Sequence, residues 1–381
     1  MFEDIIGSKR SLEWVFQFWP VLVFAFGSGL IATALCKKIA LKFHIVDQPD
    51  ETVKPHEKPI AYLGGLGMLA GLVVGVMAGI YLIRTEPYFG QILKWLLAIL
   101  AGGTIVCVVG VIDDIFMIKP VQKILGQLLA AVAIIAAGIL PQLHYFTNPL
   151  GWEIPQTLET ILSVFIVIFF VLGATNSLNL LDGLDGLCAG VTVIITIAML
   201  MLSIHLSTWD FSRAGDPTRI IICLALVGAV LGFLPFNRHP AKIFMGDAGS
   251  MLLGFCIAAL MILFGEKIPR WWMASIVVFG LPILDTATAL ARRIINKRPI
   301  MQPDRGHIYD QMIDRGIPLK KTVAISYGLA TLYAIIGLIM SQIRTRYALV
   351  VYIAVFVISA VIIWKKGYLK MEGLRGKVKS K

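Results

Sequence analysis

The chain has 381 residues, 58% of them hydrophobic and only 15% charged, and carries a formal net charge of +11. A soluble domain sits nearer half apolar and a quarter charged, whereas here long apolar runs alternate with short charged stretches. That excludes an ordinary soluble domain, and it excludes a nucleic-acid partner, because no soluble module carries the basic residues.

Apolar runs of about 18 or more residues read as transmembrane helices, since hydrocarbon offers no partner for an open backbone. Eleven such runs follow one another, near residues 15–36, 60–83, 95–112, 124–141, 160–178, 187–206, 219–235, 248–265, 271–291, 322–341 and 347–364. The expected fold is therefore an all-α integral membrane protein with about eleven spans in a single polytopic domain, 1–381. The first run is longer than the roughly 7–15 apolar residues of a signal peptide and follows acidic residues, so it reads as a retained span. Cys36, Cys107, Cys188, Cys223 and Cys256 stand singly, with no CxxC, and read as small packing residues.

Lys and Arg set orientation. With the N-terminus outside, the cytoplasmic loops hold them by more than two to one, which also puts the C-terminus in the cytoplasm. The basic tail, about 365–381, then lies against anionic lipid headgroups.

The polar clusters come next. Asp113 and Asp114 end the third run, where a membrane-depth aspartate costs about 2.5–3.5 kcal/mol and neighbouring carboxylates repel. The negative end of the helix dipole disfavours them further, and a cation, either a metal or Lys123, would relieve both problems. Lys123 and Gln127, four apart, share a helix face near this pair. Asn176-Ser-Leu-Asn179-Leu-Leu-Asp182-Gly-Leu-Asp185-Gly places a polar residue at every third position. In an unbroken helix that stripe rotates about 60° per step, so its ends face opposite ways. Gly183 and Gly186 can break the helix and let Asn179, Asp182 and Asp185 converge as oxygen ligands.

Asn237 opens a further cluster that reaches Gly246-Asp247-Ala-Gly249-Ser250, where the eighth run begins. Asp247 there is either an N-terminal cap or another carboxylate of the same group. The last loop, from Arg292-Arg293 through Asp304-Arg305-Gly306-His307, is basic, as topology alone would make it or as a phosphate cradle would require. All these clusters fall on the cytoplasmic side, although only Lys and Arg were used to label it. Five acids with no His/Cys group select a hard cation, Mg²⁺ or Mn²⁺, over zinc or copper.

These residues in this order resemble the polyprenyl-phosphate N-acetylhexosamine-1-phosphate transferases. The resemblance rests on Asp47-Gln-Pro-Asp50 with His56 and Gly64-Gly65, Val111-Ile-Asp113-Asp114, Lys123-Ile-Leu-Gly-Gln127, and the run from Asn176 to Asp185. It continues with Phe244-Met-Gly246-Asp247-Ala-Gly-Ser250, Asp285, Arg292-Arg293 and Asp304-Arg305-Gly-His307, and spans about residues 45–315. Eleven spans resemble the branch that uses GlcNAc more than the ten-span phospho-MurNAc-pentapeptide branch. One departure stands out: the family's His-x-His-His in the last loop reads His307-Ile-Tyr309-Asp310, so the histidine cluster does not carry over.

The resemblance implies transfer of an N-acetylhexosamine 1-phosphate, GlcNAc first, from a UDP-sugar to undecaprenyl phosphate, opening a cell-envelope polysaccharide. It implies a bacterial inner-membrane enzyme whose site faces the cytoplasm. Asp247 with Asp182 would hold Mg²⁺. Asp113 and Asp114 would orient the lipid phosphate, and Lys123 and His307 would contact phosphate. Asn176, Asn179, Asp182, Asp185, Asn237 and Arg305 would shape the substrate pocket. A homodimer is compatible with the pattern and not required by it.

Two other classes compete. CDP-alcohol phosphatidyltransferases share Asp-x-x-Asp-Gly, but Gly190 stands where their arginine belongs. An ion-coupled transporter would also carry intramembrane acids, yet no repeat relates the halves and the acids gather at one face.

Overall fold

The computed structural model describes residues 9–47, 59–148, 151–208, 214–266, 268–299 and 306–370, with side chains from residue 16 onward. Asp50, His56, Arg305 and most of the basic tail lie outside the described residues. In chain order the elements are α1 (Lys9–Lys42), a two-residue hairpin β1 (Val46–Asp47) and β2 (Ile60–Ala61), α2 (Gly64–Leu82), α3 (Phe89–Phe116) and α4 (Pro120–Ala136). Then follow α5 (His144–Thr147), α6 (Gln156–Leu181), α7 (Leu187–Ser207), α8 (Gly215–Asn237), α9 (Gly246–Phe264), α10 (Pro269–Val278) and α11 (Gly280–Ile295). The last are α12 (Ile308–Asp314), α13 (Leu319–Gln342) and α14 (Thr345–Lys365).

All eleven apolar runs are helical, but they are not alike. Among the described residues nine helices are long and apolar enough to cross a membrane, or ten if the bent pair α10–α11 counts as one. The run near 271–291 turns by 67° at Phe279. Gly280 and Pro282 sit at that break, and a proline inside a helix removes a backbone donor and kinks the axis. The run near 124–141 becomes α4, which stops at Ala136 after 17 residues. At about 1.5 Å per residue it reaches about 25 Å, short of the ~30 Å hydrocarbon core.

Helix α9 is the centre. Every residue in it except Asp247 is buried, and it packs against α2, α3 and α6. By contrast α14 buries only Ala348 and Ile363, as a helix facing lipid should. Helices α1, α2 and α8 pack together closely. Gly67, Gly71, Gly75 and Gly79 run up one side of α2, and a Cβ on Gly71 or Gly75 would run into Ala25 of α1 and Ala225 or Ala229 of α8. In hydrocarbon, where no hydrophobic force joins helices, small residues that let backbones approach supply the packing.

The end of the bundle formed by the start of α8 and the finish of α9 holds a sealed ion pair. Arg219 pairs with Asp216, donates to the Leu263 carbonyl at 2.8 Å, and lies 3.8 Å from Glu266. Helices α8 and α9 run antiparallel, so the end of α8 and the start of α9 meet at the opposite end. The candidate residues gather there.

Candidate active site

The site is assembled by helix ends. Helix α3 stops at Phe116 because Met117 adopts the left-handed region at φ 50, and Pro120 then opens α4 at its first turn. This tight reversal folds Lys123 back toward Asp113. One oxygen of Asp113 accepts the Ile118 backbone N–H at 2.9 Å, and the other lies 2.5 Å from the Lys123 ammonium. The same ammonium donates to Asp247 at the tip of α9. The second oxygen of Asp247 accepts from the Asn179 amide on α6 at 2.8 Å, and that amide also reaches Ser250 at 3.1 Å. Four helices therefore converge on Asp247, the one residue of the central helix that is not buried.

Asp114 resolves differently from what its place on α3 suggests. The sequence put it at a disfavoured helix C-terminus, in need of a cation. Its carboxylate instead reaches the N-terminus of α9 and accepts the backbone N–H groups of Asp247 at 2.9 Å and Ala248 at 3.3 Å. A carboxylate there is favoured by the dipole and satisfies two of the helix's orphan donors. Gly246, at φ +67, makes room, because a Cβ on it would collide with that carboxylate.

The Asn176–Asp185 stripe does not converge as a whole. Helix α6 continues to Leu181, so Asn176 and Asn179 sit on its last turns. Asn176 donates to Gln127 of α4 at 3.0 Å, and Asn179 to Asp247. The break comes at residues 182–186, closed by Gly186 at φ +76. Beyond it Asp185 turns toward the loop after α8, where it meets the His239 ring at 2.9 Å and the Ala241 N–H at 3.0 Å. Asn237 braces the same loop, accepting from Gly186 N–H and donating to the Ile243 carbonyl, each at 3.1 Å.

Asp182 stands in the turn between. Among the described residues nothing donates a hydrogen bond to its carboxylate. Desolvation, reinforced by Asp247, Asp114 and Asp185, holds it well above the usual carboxylate range. A carboxylate whose charged neighbours are other carboxylates is in want of a cation. Among the described residues no group of three or more His, Cys, Asp or Glu side chains is placed to hold a metal ion. Asp247 and Asp182 carry hard carboxylate oxygens, the donor type that Mg²⁺ takes alongside water and phosphate.

The last loop supplies residues that sequence reasoning underused. Asp285 on α11, singled out only as a motif match, accepts from the Ile308 N–H at 2.6 Å and pairs with the His307 ring at 2.7 Å, and both side chains are buried. Asp285 thus caps α12 and orients His307 together. Tyr309 stands where the family carries histidine. Its ring lies parallel to that of His307, centroids 5.6 Å apart at 9°, and its hydroxyl donates to the Leu180 carbonyl at 2.8 Å. Arg292 donates to Gly306 and fixes the loop's entrance. Tyr62, after β2, was missed altogether. Desolvation and the nearby Asp47, Asp114 and Asp247 carboxylates raise its hydroxyl well above the ordinary phenol range, which places it at the site's edge. Its signal was its position two residues before Gly64, easily read as an interfacial aromatic.

Residues 96–265 match the family described as "Glycosyl transferase family 4". Over 357 residues, 91% of this chain and 89% of the relative, the sequence is 33% identical to a probable undecaprenyl-phosphate N-acetylglucosaminyl 1-phosphate transferase of Bacillus subtilis. It is 30% identical over 78% of the chain to a decaprenyl-phosphate N-acetylglucosaminephosphotransferase of Mycolicibacterium smegmatis, covering 75% of that protein. A phospho-N-acetylmuramoyl-pentapeptide-transferase of Desulforamulus reducens is 31% identical over 74% of the chain and 81% of its own length. A match of that identity over nine-tenths of both chains makes this chain a multi-pass membrane member of the polyprenyl-phosphate hexosamine-1-phosphate transferase superfamily.

Proposed function

We propose that the protein transfers N-acetylglucosamine 1-phosphate from UDP-GlcNAc to undecaprenyl phosphate, releasing UMP, at the cytoplasmic face of a bacterial inner membrane. The observation that carries this reading is the meeting of Asp113, Lys123, Asn179 and Asp247 from four helices at one end of the bundle. A relative that matches 91% of the chain is named for N-acetylglucosaminyl 1-phosphate transfer, which favours GlcNAc as the sugar. The Lys and Arg bias supports an external N-terminus and a cytoplasmic site. Counting the bent pair, and α4 with the bilayer thinned around it, as spans supports a total of eleven.

In the reaction an oxygen of the lipid phosphate attacks the phosphorus that carries the sugar. The new P–O bond forms as the bond to the bridging oxygen breaks, and UMP leaves with that electron pair. A phosphate monoester is largely dianionic at neutral pH, its second pKa being about 6, so positioning and charge neutralisation matter more than a strong base. Asp247 and Asp182 would hold Mg²⁺, or Mn²⁺ in its place. The ion when bound would neutralise the diphosphate. Asp113 would orient the lipid phosphate, and Lys123 would contact the donor phosphates. Asp114 acts on the site through the α9 N-terminus, whose register sets where Asp247 points. Asn176 and Asn179 would line the pocket, with Asp185 and Asn237 holding its walls. His307, oriented by Asp285, and Arg305 would address phosphate from the last loop.

The test is release of UMP by purified protein in lipid, assayed against UDP-GlcNAc, UDP-GalNAc and UDP-MurNAc-pentapeptide. Release that requires both polyprenyl phosphate and UDP-GlcNAc, stops with chelator and returns with Mg²⁺ or Mn²⁺, is expected. Release without the lipid acceptor, or with the pentapeptide donor alone, overturns the assignment.

A further inference from the structure

We propose that Lys123 is a built-in competitor for the cation at Asp247: its ammonium is held by Asp247 and Asp113, and metal ion and donor phosphate displace it together. The inference rests on the metal reading above and deepens it.

The geometry leaves the pair few ways to be addressed. The inward oxygens of Asp113 and Asp247 both bind the same ammonium. Their outward oxygens are committed, one to the Ile118 N–H and the other to Asn179. A divalent ion approaching Asp247 must share the oxygen that Lys123 holds, and two cations a few ångström apart repel strongly away from bulk water. Lys123 sits in the first turns of a helix, on a flexible four-carbon stem, with a quarter of its side chain exposed. It can therefore swing without moving backbone, provided something anionic receives it.

A diphosphate would receive it. The ammonium then moves from carboxylate to phosphate oxygen, and the vacated carboxylates become available. Metal binding and diphosphate binding must strengthen each other by the same factor, since such coupling is reciprocal. Such an arrangement offsets part of the charge of the acidic pair and makes a lone metal ion a weak ligand.

The test is Mn²⁺ binding to the purified full chain in lipid nanodiscs, read by the electron paramagnetic resonance signal of free Mn²⁺, with no turnover involved. Wild type should bind Mn²⁺ weakly alone and more tightly with pyrophosphate. Lys123→Met should bind Mn²⁺ alone at least about tenfold more tightly and lose most of the pyrophosphate effect. Lys123→Arg should stay near wild type. Equal or weaker Mn²⁺ binding by Lys123→Met overturns the proposal. A second measurement needs no variant: amine-reactive labelling of Lys123, quantified by mass spectrometry in the wild-type chain. Labelling should rise with Mn²⁺ and fall back when pyrophosphate is added, and labelling indifferent to Mn²⁺ refutes the competition. If transfer from every UDP-sugar fails while these binding results hold, the substrate assignment falls and the competition stands.

Discussion

The bundle carries charge at both ends and treats it in opposite ways. At one end Lys123 and Asp247 are each about a quarter exposed, at 25% and 24%, and carboxylates outnumber the ammonium that serves them. At the other Arg219 and Asp216 are 0% and 1% exposed, tied to the Leu263 carbonyl and 3.8 Å from Glu266. The same chemistry thus does two jobs. A sealed pair joins helix ends away from solvent. An accessible and over-acidic cluster is unfinished until a cation and an anion arrive.

Substitutions can break the contrast from either side. The largest effect is expected at the sealed end: Arg219→Met removes the cation beside buried Asp216 and should lower stability by about 3–5 kcal/mol. Thermal unfolding in detergent would show it, with KM unchanged in the folded fraction. The double variant Asp216→Leu with Arg219→Met should recover much of that loss, because a packed apolar pair can replace a buried ion pair. At the open end Asp247→Asn should reduce turnover about 10²–10³-fold while shifting the melting temperature little. A transfer rate near wild type would show that Asp247 is only a helix cap.

Asp114→Asn probes the boundary between the two behaviours. The amide keeps one acceptor for the α9 N–H groups and loses the charge that the helix dipole favours. Turnover should fall about tenfold and stability by about 1 kcal/mol, both together, since the residue works through the position of α9. The smallest effect belongs to Tyr309→Phe, which removes the hydrogen bond to Leu180 and leaves the ring beside His307. A loss of about 1 kcal/mol in stability and less than threefold in turnover is expected.

Much of this site is legible in the amino-acid order alone, and the reason is physical. Polar residues in an apolar chain are costly, so Asp113, Asp114, Asp182, Asp185 and Asp247 announce themselves wherever they pair. Hydropathy places them at the ends of apolar runs, but does not give their partners. Asp114 meets the N-terminus of α9 across more than a hundred residues, and Asp185 faces away from the stripe it belongs to in sequence, because α6 runs on to Leu181 before it breaks. The cap from Asp285 to Ile308 likewise depends on a bend at Phe279 that composition alone does not set. Arg219 passes for an ordinary basic residue in an outer loop, since its burial is a property of packing. The glycines of α2 are visible as composition, but their purpose needs Ala25, Ala225 and Ala229 on other helices to be seen.

Helix α9, enclosed along its whole length, has a consequence for how the chain is made. Its neighbours α2, α3 and α6 are synthesised before it, so they enter the bilayer around a centre that is still missing. Until the ribosome has passed residue 264, Asp114 has no helix end to hold and Asn179 no carboxylate to meet. Translation at about 5–20 residues per second leaves that gap open for seconds. The early helices must stay loosely associated over this interval, and the late arrival of one apolar segment decides when Asp114 and Asn179 find their partners.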